Sequence, residues 1–243
     1  MGTDGIRRTR SRARRRLLIA LDGVGVRLGD ALALQEVSLT LDAPTVAVIG
    51  ENGSGKSTFA RLVGGLVART SGELRVLGVD PARDAVALRR QVAIVFSNPD
   101  SQIVMPTVAE DVAFSLRSER LRKDERDARV ATALERFGLA ALAERASHDL
   151  SGGQKQLLAL CGAFVRRPAL VIADEPTAYL DARNARRVAD HLFTPAGHRL
   201  LLVTHDLSLA ARCEQAVLFT DRRVRAVGDT RDVIARYEES LQC

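Results

Sequence analysis

No stretch of this chain approaches the run of about 20 apolar residues that a membrane-crossing helix requires, and the N-terminus has no apolar segment like that of a secretory signal. The chain is therefore expected in the cytosol, with any work at a membrane depending on partners. Cysteine is scarce: Cys161, Cys213 and Cys243 are scattered without metal-ligand spacing, and Cys161 falls in an apolar helical stretch that suits a small core residue. No chemistry is assigned to them. Lysine stands only at 56, 123 and 155, arginine supplying the other basic positions. Internal repeats and low-complexity tracts are absent apart from a basic N-terminal tail.

That tail holds the whole charge imbalance. Residues 1–16 carry seven arginines and one acid, Asp4, which accounts for the net +6 and leaves the rest of the chain balanced. A short arginine-rich segment without aromatic residues reads as a disordered extension. Its functional alternatives are attraction to anionic lipid and weak nucleic-acid binding. At 243 residues and 46% hydrophobic content, the chain can bury one large core, with or without a subdomain.

What the chain does have begins with Gly50-Glu51-Asn52-Gly53-Ser54-Gly55-Lys56-Ser57, followed by Thr58. This G-x-x-x-x-G-K-[ST] pattern follows an apolar run, Thr45 to Ile49, that reads as a buried strand, and precedes a helix expected over about Lys56 to Val67. Glycines at 50, 53 and 55 allow the backbone to turn its N–H groups inward at phosphate oxygens, where the new helix presents its positive end. Lys56 is expected to pair with the β and γ phosphates and Ser57 to hold Mg²⁺. In a chain that otherwise uses arginine, a lysine at this position points the same way.

Around this loop, short alternating strands are expected at Leu17 to Leu28 and Leu34 to Leu41, with later strands at Glu73 to Leu77, Val92 to Phe96, Leu170 to Ala173 and Leu200 to Val203. Residues from about Pro99 to Arg145 are helical by periodicity and read as a helical subdomain, about 99–150, inserted into the core. Further helices are expected after Gly152 as far as Val165 and over about Ala182 to Phe193, before a small terminal β and helix portion. Strands alternating with helices predict an α/β fold: a mostly parallel sheet with ligands at the carboxyl ends of its strands, and a small N-terminal antiparallel part.

The strand Leu170 to Ala173 runs into Asp174 and Glu175. An acid delivered at a buried strand end beside the phosphate loop can organise Mg²⁺ through its water shell, and Glu175, pointing elsewhere, can polarise an attacking water. Leu150-Ser151-Gly152-Gly153-Gln154 forms a second anion-binding helix start. One phosphate cradle gains little from a second unless the second acts in trans. Taken alone, Ser151 with two glycines is an ordinary N-cap.

These three motifs, in this order, resemble the ATPase subunits of ATP-binding cassette transporters over residues 17–243, a phosphate-loop NTPase fold. The resemblance implies that the loop of one subunit and the Ser151, Gly153 and Gln154 signature of another sandwich ATP with Mg²⁺, giving two sites per dimer, with a homodimer favoured because both half-sites are intact. It implies that Glu175 is the catalytic carboxylate, that Ala178-Tyr179-Leu180-Asp181 is the D-loop, and that His205 contacts the γ-phosphate, with Lys56 completing the catalytic group. There are two departures. Ser97 stands where the family places a Mg²⁺-touching glutamine, and a serine reaches as far only through a water. Leu28 stands where an aromatic stacks on adenine, leaving an apolar platform.

Within that superfamily, Asn98-Pro99-Asp100-Ser101-Gln102 and Met105-Pro106-Thr107-Val108-Ala109-Glu110-Asp111 are similar to the ATPases of energy-coupling factor importers. Ile103-Val104-Met105-Pro106, Gln154-Lys155-Gln156-Leu157-Leu158 and the short stretch after His205 resemble the biotin-transport type more closely. The resemblance implies a peripheral subunit at the cytoplasmic face of the membrane. Its partners would be a transmembrane coupling protein, docked near Ser97 to Gln102 and the helical subdomain, and a small substrate-binding membrane protein. Three other readings stand beside it: an importer ATPase for another vitamin or a metal ion, a soluble cassette ATPase acting on nucleic acid, and a regulatory module with weak catalysis. Against the second, the interval from Ser57 to Leu150 is too short for a long coiled coil, and there is no second cassette.

Overall fold

The computed structural model describes residues 18–194 and 197–241. The expectation of a basic extension over residues 1–16 lies outside the described residues. The elements in order are β1 (Ile19–Leu28), β2 (Ala31–Leu41), β3 (Thr45–Gly50), α1 (Lys56–Val63), β4 (Ser71–Val76), α2 (Ala85–Gln91), β5 (Val92–Val95), α3 (Val108–Ser115), α4 (Lys123–Phe137), α5 (Gly152–Phe164), β6 (Leu170–Asp174), α6 (Ala182–Phe193), β7 (Arg199–Val203), α7 (Leu207–Ala210), β8 (Gln215–Thr220), β9 (Arg223–Asp229) and α8 (Thr230–Ser240).

Two sheets carry the fold. The first is antiparallel, ordered β2-β1-β4, and the second is six-stranded, ordered β5-β6-β7-β3-β8-β9, parallel except for its last strand. Strands buried on both faces read as continuous apolar runs, and the alternation inside those runs decides which residue meets which layer. Val46, Val48, Ile172, Leu201, Val203 and Phe219 pack with the antiparallel sheet and α1. Ala47, Ile49, Val171, Leu200, Leu202 and Leu218 face the helical layer built from α3 to α8. The first of these layers holds Phe59 of α1 against Phe219 of β8, ring centroids 5.2 Å apart, both fully buried. Truncating Phe59 to alanine would cost about 3–5 kcal/mol, and it would loosen the helix that starts at the phosphate loop.

Several boundaries differ from the sequence expectation for local reasons. α1 ends at Val63, not near Val67, because Gly64 caps it and Gly65 has a left-handed φ of 70°. α2 was not expected: only Leu88 of its residues is buried, so it leaves no apolar stripe in the sequence, and Asp84 starts it by accepting from the Ala87 N–H. The terminal β and helix portion joins the main sheet, β8 pairing in parallel with β3 over Val46↔Gln215 to Gly50↔Phe219. Between β5 and β6 lie α3, α4 and α5, with no strand beyond one isolated bridge, Thr107↔Ala146. Cys161 and Cys213 are both free and buried, and burial pushes each thiol up to about 12. No helix among the described residues is long and apolar enough to cross a membrane.

Candidate functional site

The phosphate loop leaves β3 at Gly50, whose φ is 136°, and a Cβ there would come 2.1 Å from the Phe219 carbonyl oxygen, so only glycine fits. Gly53 and Gly55 follow at φ 78° and 105°. Gly55 is the N-cap of α1 and offers no side-chain cap, whereas α3, α5, α6, α7 and α8 are all closed by a Thr, Ser or Asp side chain. The first N–H groups of α1 are thus left without side-chain partners, as an anion site requires. Ser54 adds a buried hydroxyl with no hydrogen-bond partner.

Lys56 is 6% exposed and donates from Nζ to the carbonyls of Gly50 and Glu51, both at 2.7 Å. Burial pulls its ammonium below the ordinary lysine range, while the charges of Glu175, Asp174 and Glu51 pull it back up. The ammonium is therefore held inside the loop by two carbonyls and surrounded by acids.

β6 brings the acids to the loop, and β7 leads to His205. Asp174, 6% exposed, ends β6 and accepts from the Ser57 hydroxyl at 3.0 Å. Burial raises the Asp174 carboxyl above its usual value, opposed by that hydroxyl and by the Arg61 and Lys56 charges. Ser57 and Asp174 present two hard oxygen donors side by side, which suits Mg²⁺, a cation that completes its octahedron with phosphate oxygens and water. Glu175 leaves the strand with φ 51°, its N–H donating to Val203 at 2.9 Å. This break in the strand turns its carboxylate away from Asp174, and Oε2 lies 2.9 Å from Nδ1 of His205.

A cavity of about 280 Å³ joins Asn52, Gly53, Gly55, Lys56, Ser57, Thr58 and Glu175. A second, of about 550 Å³, shares Asn52 and Glu175 and adds Ser97, His205 and Tyr179. Lys56, Ser57, Asp174, Glu175 and His205 are thus gathered into one place. Ser97 lines the second cavity together with Glu175 and His205. Leu28, 46% exposed at the end of β1, is not among the residues lining the loop cavity.

Ser151, Gly153 and Gln154 line neither cavity. They form a capping box in which the Gln154 side chain accepts from the Ser151 N–H at 2.9 Å. Gly153 is kept small by a neighbour, since a Cβ there would lie 2.4 Å from Asn184. Asp181 caps α6, one carboxylate oxygen accepting from the N–H groups of Arg183 and Asn184 and the other from Asn184 Nδ2. Those bonds to Asn184 and Arg183 hold its carboxyl below the usual range.

Sequence reading missed the bonding role of Gln102 and the positions of Ala33 and Arg222. Gln102 crosses back to bond the Phe96 N–H at 2.8 Å and the Ile94 carbonyl at 2.9 Å, fixing the segment that contains Ser97. Ala33 and Arg222 wall the loop cavity from β2 and from the turn between β8 and β9. Gln102 ends the Asn98 to Gln102 motif, but nothing in that pattern tells of these bonds, and no motif marks Ala33 or Arg222.

A phosphate loop at the end of a central parallel strand, with an acid at the end of a nearby one, defines a phosphate-loop nucleoside triphosphatase. The chain belongs to the ABC transporter family, whose sequence pattern matches residues 34–178, and it is an ATP-hydrolysing subunit of that family. It is 40% identical over 221 residues to the biotin transport ATP-binding protein BioM of Rhizobium etli, covering 91% of this chain and 98% of that protein. It is 38% identical to the energy-coupling factor transporter ATP-binding protein EcfA1 of Lacticaseibacillus paracasei, covering 86% and 77%. Among solved structures, cbiO1 from Clostridium perfringens, part of the ABC transporter complex cbiONQ, superposes with a TM-score of 0.81 at 29% identity, covering 92% of each chain. The dimeric post-hydrolysis state of the ATP-binding cassette MJ0796, bound to ADP and Pi, gives 0.78 at 26% identity, covering 88% and 99%.

Proposed function

We propose that this chain energises an energy-coupling factor type vitamin importer, with biotin as the transported substrate. The observation that carries this reading is 40% identity extending over 98% of the biotin transport relative. Residues 17–243 act as one ATPase unit with a helical subdomain at about 99–150. Two copies pair at the cytoplasmic face of the membrane, beside a transmembrane coupling protein and a small substrate-binding membrane protein. A groove of about 500 Å³ lined by Phe96, Gln102, Ser115 and Arg166 offers the coupling protein a seat.

ATP binds with its phosphates on the N–H groups of residues 50–58, and Lys56 exchanges its two carbonyl partners for the β and γ phosphates. Ser57, with Asp174 and Ser97 acting through water, would hold Mg²⁺, which would supply charge neutralisation at the phosphates. Ser151, Gly153 and Gln154 of a second copy close over the γ-phosphate. Glu175 orients the attacking water and accepts its proton. His205 donates from Nδ1 to the Glu175 carboxylate and, when both ring nitrogens carry hydrogen, from Nε2 to the γ-phosphate. Asp181 serves by fixing the start of α6 and so the segment 178–181 leading to it. Leu28 gives the adenine an aliphatic edge.

Purifying the chain from its native membranes and identifying what accompanies it by mass spectrometry tests the assembly. The expected result is a coupling membrane protein together with a small substrate-binding protein, in a complex that binds labelled biotin. A complex that contains both proteins but ignores biotin would move the substrate to another vitamin or a metal ion. Recovery of soluble or nucleic-acid-associated proteins alone would overturn the importer reading.

A further inference from the structure

The order of the central sheet fixes which way a nucleotide lies. The phosphate loop follows β3; β6, which delivers Glu175, is two strands to one side, and the turn between β8 and β9 lies on the other. At about 5 Å per strand, the two flank the loop from opposite directions. Resting on the reading above, in which Glu175 faces the γ-phosphate, the nucleoside leaves the cavity on the β8–β9 side.

There the wall is Ala33 and Arg222. Asp221 and Arg222 have φ of 50° and 65°, a conformation unfavourable for a residue other than glycine, asparagine or aspartate. Neighbouring elements hold the turn in it. The Arg222 N–H donates to the Ser54 carbonyl at 3.1 Å, and its own carbonyl accepts from the Gln35 N–H at 2.9 Å. Its Cα lies 3.6 Å from the place where Gly55 lacks a side chain. The backbone of Arg222 is therefore clamped between the phosphate loop and β2.

Its guanidinium, by contrast, is uncommitted. Among the described residues it makes no ion pair, while adjacent Arg223 is paired with Glu36 at 2.9 Å. No aromatic ring lines this cavity, and the Arg222 guanidinium is the planar cation among its lining residues, able to cover a ring face. We infer that Arg222 is a nucleotide-binding residue whose guanidinium plane stacks on the purine. A planar, weakly hydrated cation over a π face is a favourable pairing.

The test measures binding of MgATP and of inorganic tripolyphosphate with Mg²⁺ to the full chain and to three variants. Arg222→Gly and Arg222→Asn tolerate the left-handed φ and so spare the turn, while Arg222→Lys keeps the charge and loses the flat face. The expected result is that all three weaken MgATP about five- to tenfold and leave tripolyphosphate and the melting temperature unchanged. Wild-type affinity in Arg222→Lys, or a parallel loss for tripolyphosphate, would overturn stacking in favour of a counter-charge to phosphate. Unchanged MgATP binding in all three would remove the contact altogether. Glu175→Gln assayed alongside separates the two failures: if it hydrolyses ATP at the parent rate, the orientation itself is wrong, whereas if it is inactive the Arg222 results stand alone.

Discussion

Nδ1 of His205 lies 2.9 Å from Oε2 of Glu175, joining two residues thirty positions apart in the chain. Each stands just beyond the end of a neighbouring parallel strand, β6 and β7, which pair up to Asp174↔Val203. The contact therefore follows from register, and it ties the orientation of one side chain to the other.

Glu175→Gln keeps the shape and the link to His205 but removes the proton acceptor. Turnover should fall at least about 10²–10³-fold, with the ATP dissociation constant within about twofold of the parent. Phosphate release in single turnover and equilibrium nucleotide binding check this together; hydrolysis at the parent rate would sink the role given to Glu175.

His205→Ala frees the Glu175 carboxylate and deletes the donor on the γ-phosphate side. A kcat loss of about 10²-fold with little change in KM is expected. A raised KM with kcat intact would instead make His205 a ground-state binding residue.

Asp174→Asn should raise the stability of the nucleotide-free, Mg²⁺-free protein. Burial holds the Asp174 carboxyl above its usual value of 3.8, so folding favours the protonated form. The stability this group contributes is present below the unfolded value and is lost as pH rises through the folded one. Asparagine imitates the protonated form and can still accept from Ser57. At pH 7 the variant should melt at a higher temperature, with the gap closing as pH falls through the ordinary carboxylate range. Mg²⁺-dependent hydrolysis should meanwhile fall. Calorimetry without metal reads the first effect, and a lower melting point would contradict it.

Gly153→Ala forces a Cβ against Asn184, 2.4 Å away, and should cost about 1–3 kcal/mol. Adding Asn184→Ala removes the obstacle, so the double variant should be more stable than the two single losses added together. Additive melting shifts would show that the close approach of α5 and α6 is not what keeps this position glycine.

The phosphate loop, the acids at 174 and 175 and the capping box at Ser151 were legible because each is a local pattern whose physics is complete within a few residues. A glycine supplies a turn, a lysine a charge, a serine a cap. Strand runs such as Val46 to Ile49 and Leu170 to Ala173 were legible for the same reason, since burial on both faces writes itself as unbroken apolarity. α2 was not, because a short helix that buries only Leu88 carries no period. The role of Gln102 was not legible either: it ends the Asn98 to Gln102 motif, but its bonds to Phe96 and Ile94, which fix the segment holding Ser97, depend on the chain folding back.

The sequence by itself determined the chemistry available: the anion cradle, the acid beside it, and a fold of strands alternating with helices. The tertiary structure alone decided which residues share the site, through the strand order β5-β6-β7-β3-β8-β9. That order sets Glu175 against His205 and brings Arg222 to the loop, while leaving Ser151 and Gly153 out of both cavities. The physical reason is that strand pairing is non-local: backbone hydrogen bonds between strands are nearly the same for any sequence, so order and register emerge only when all the buried faces are satisfied at once.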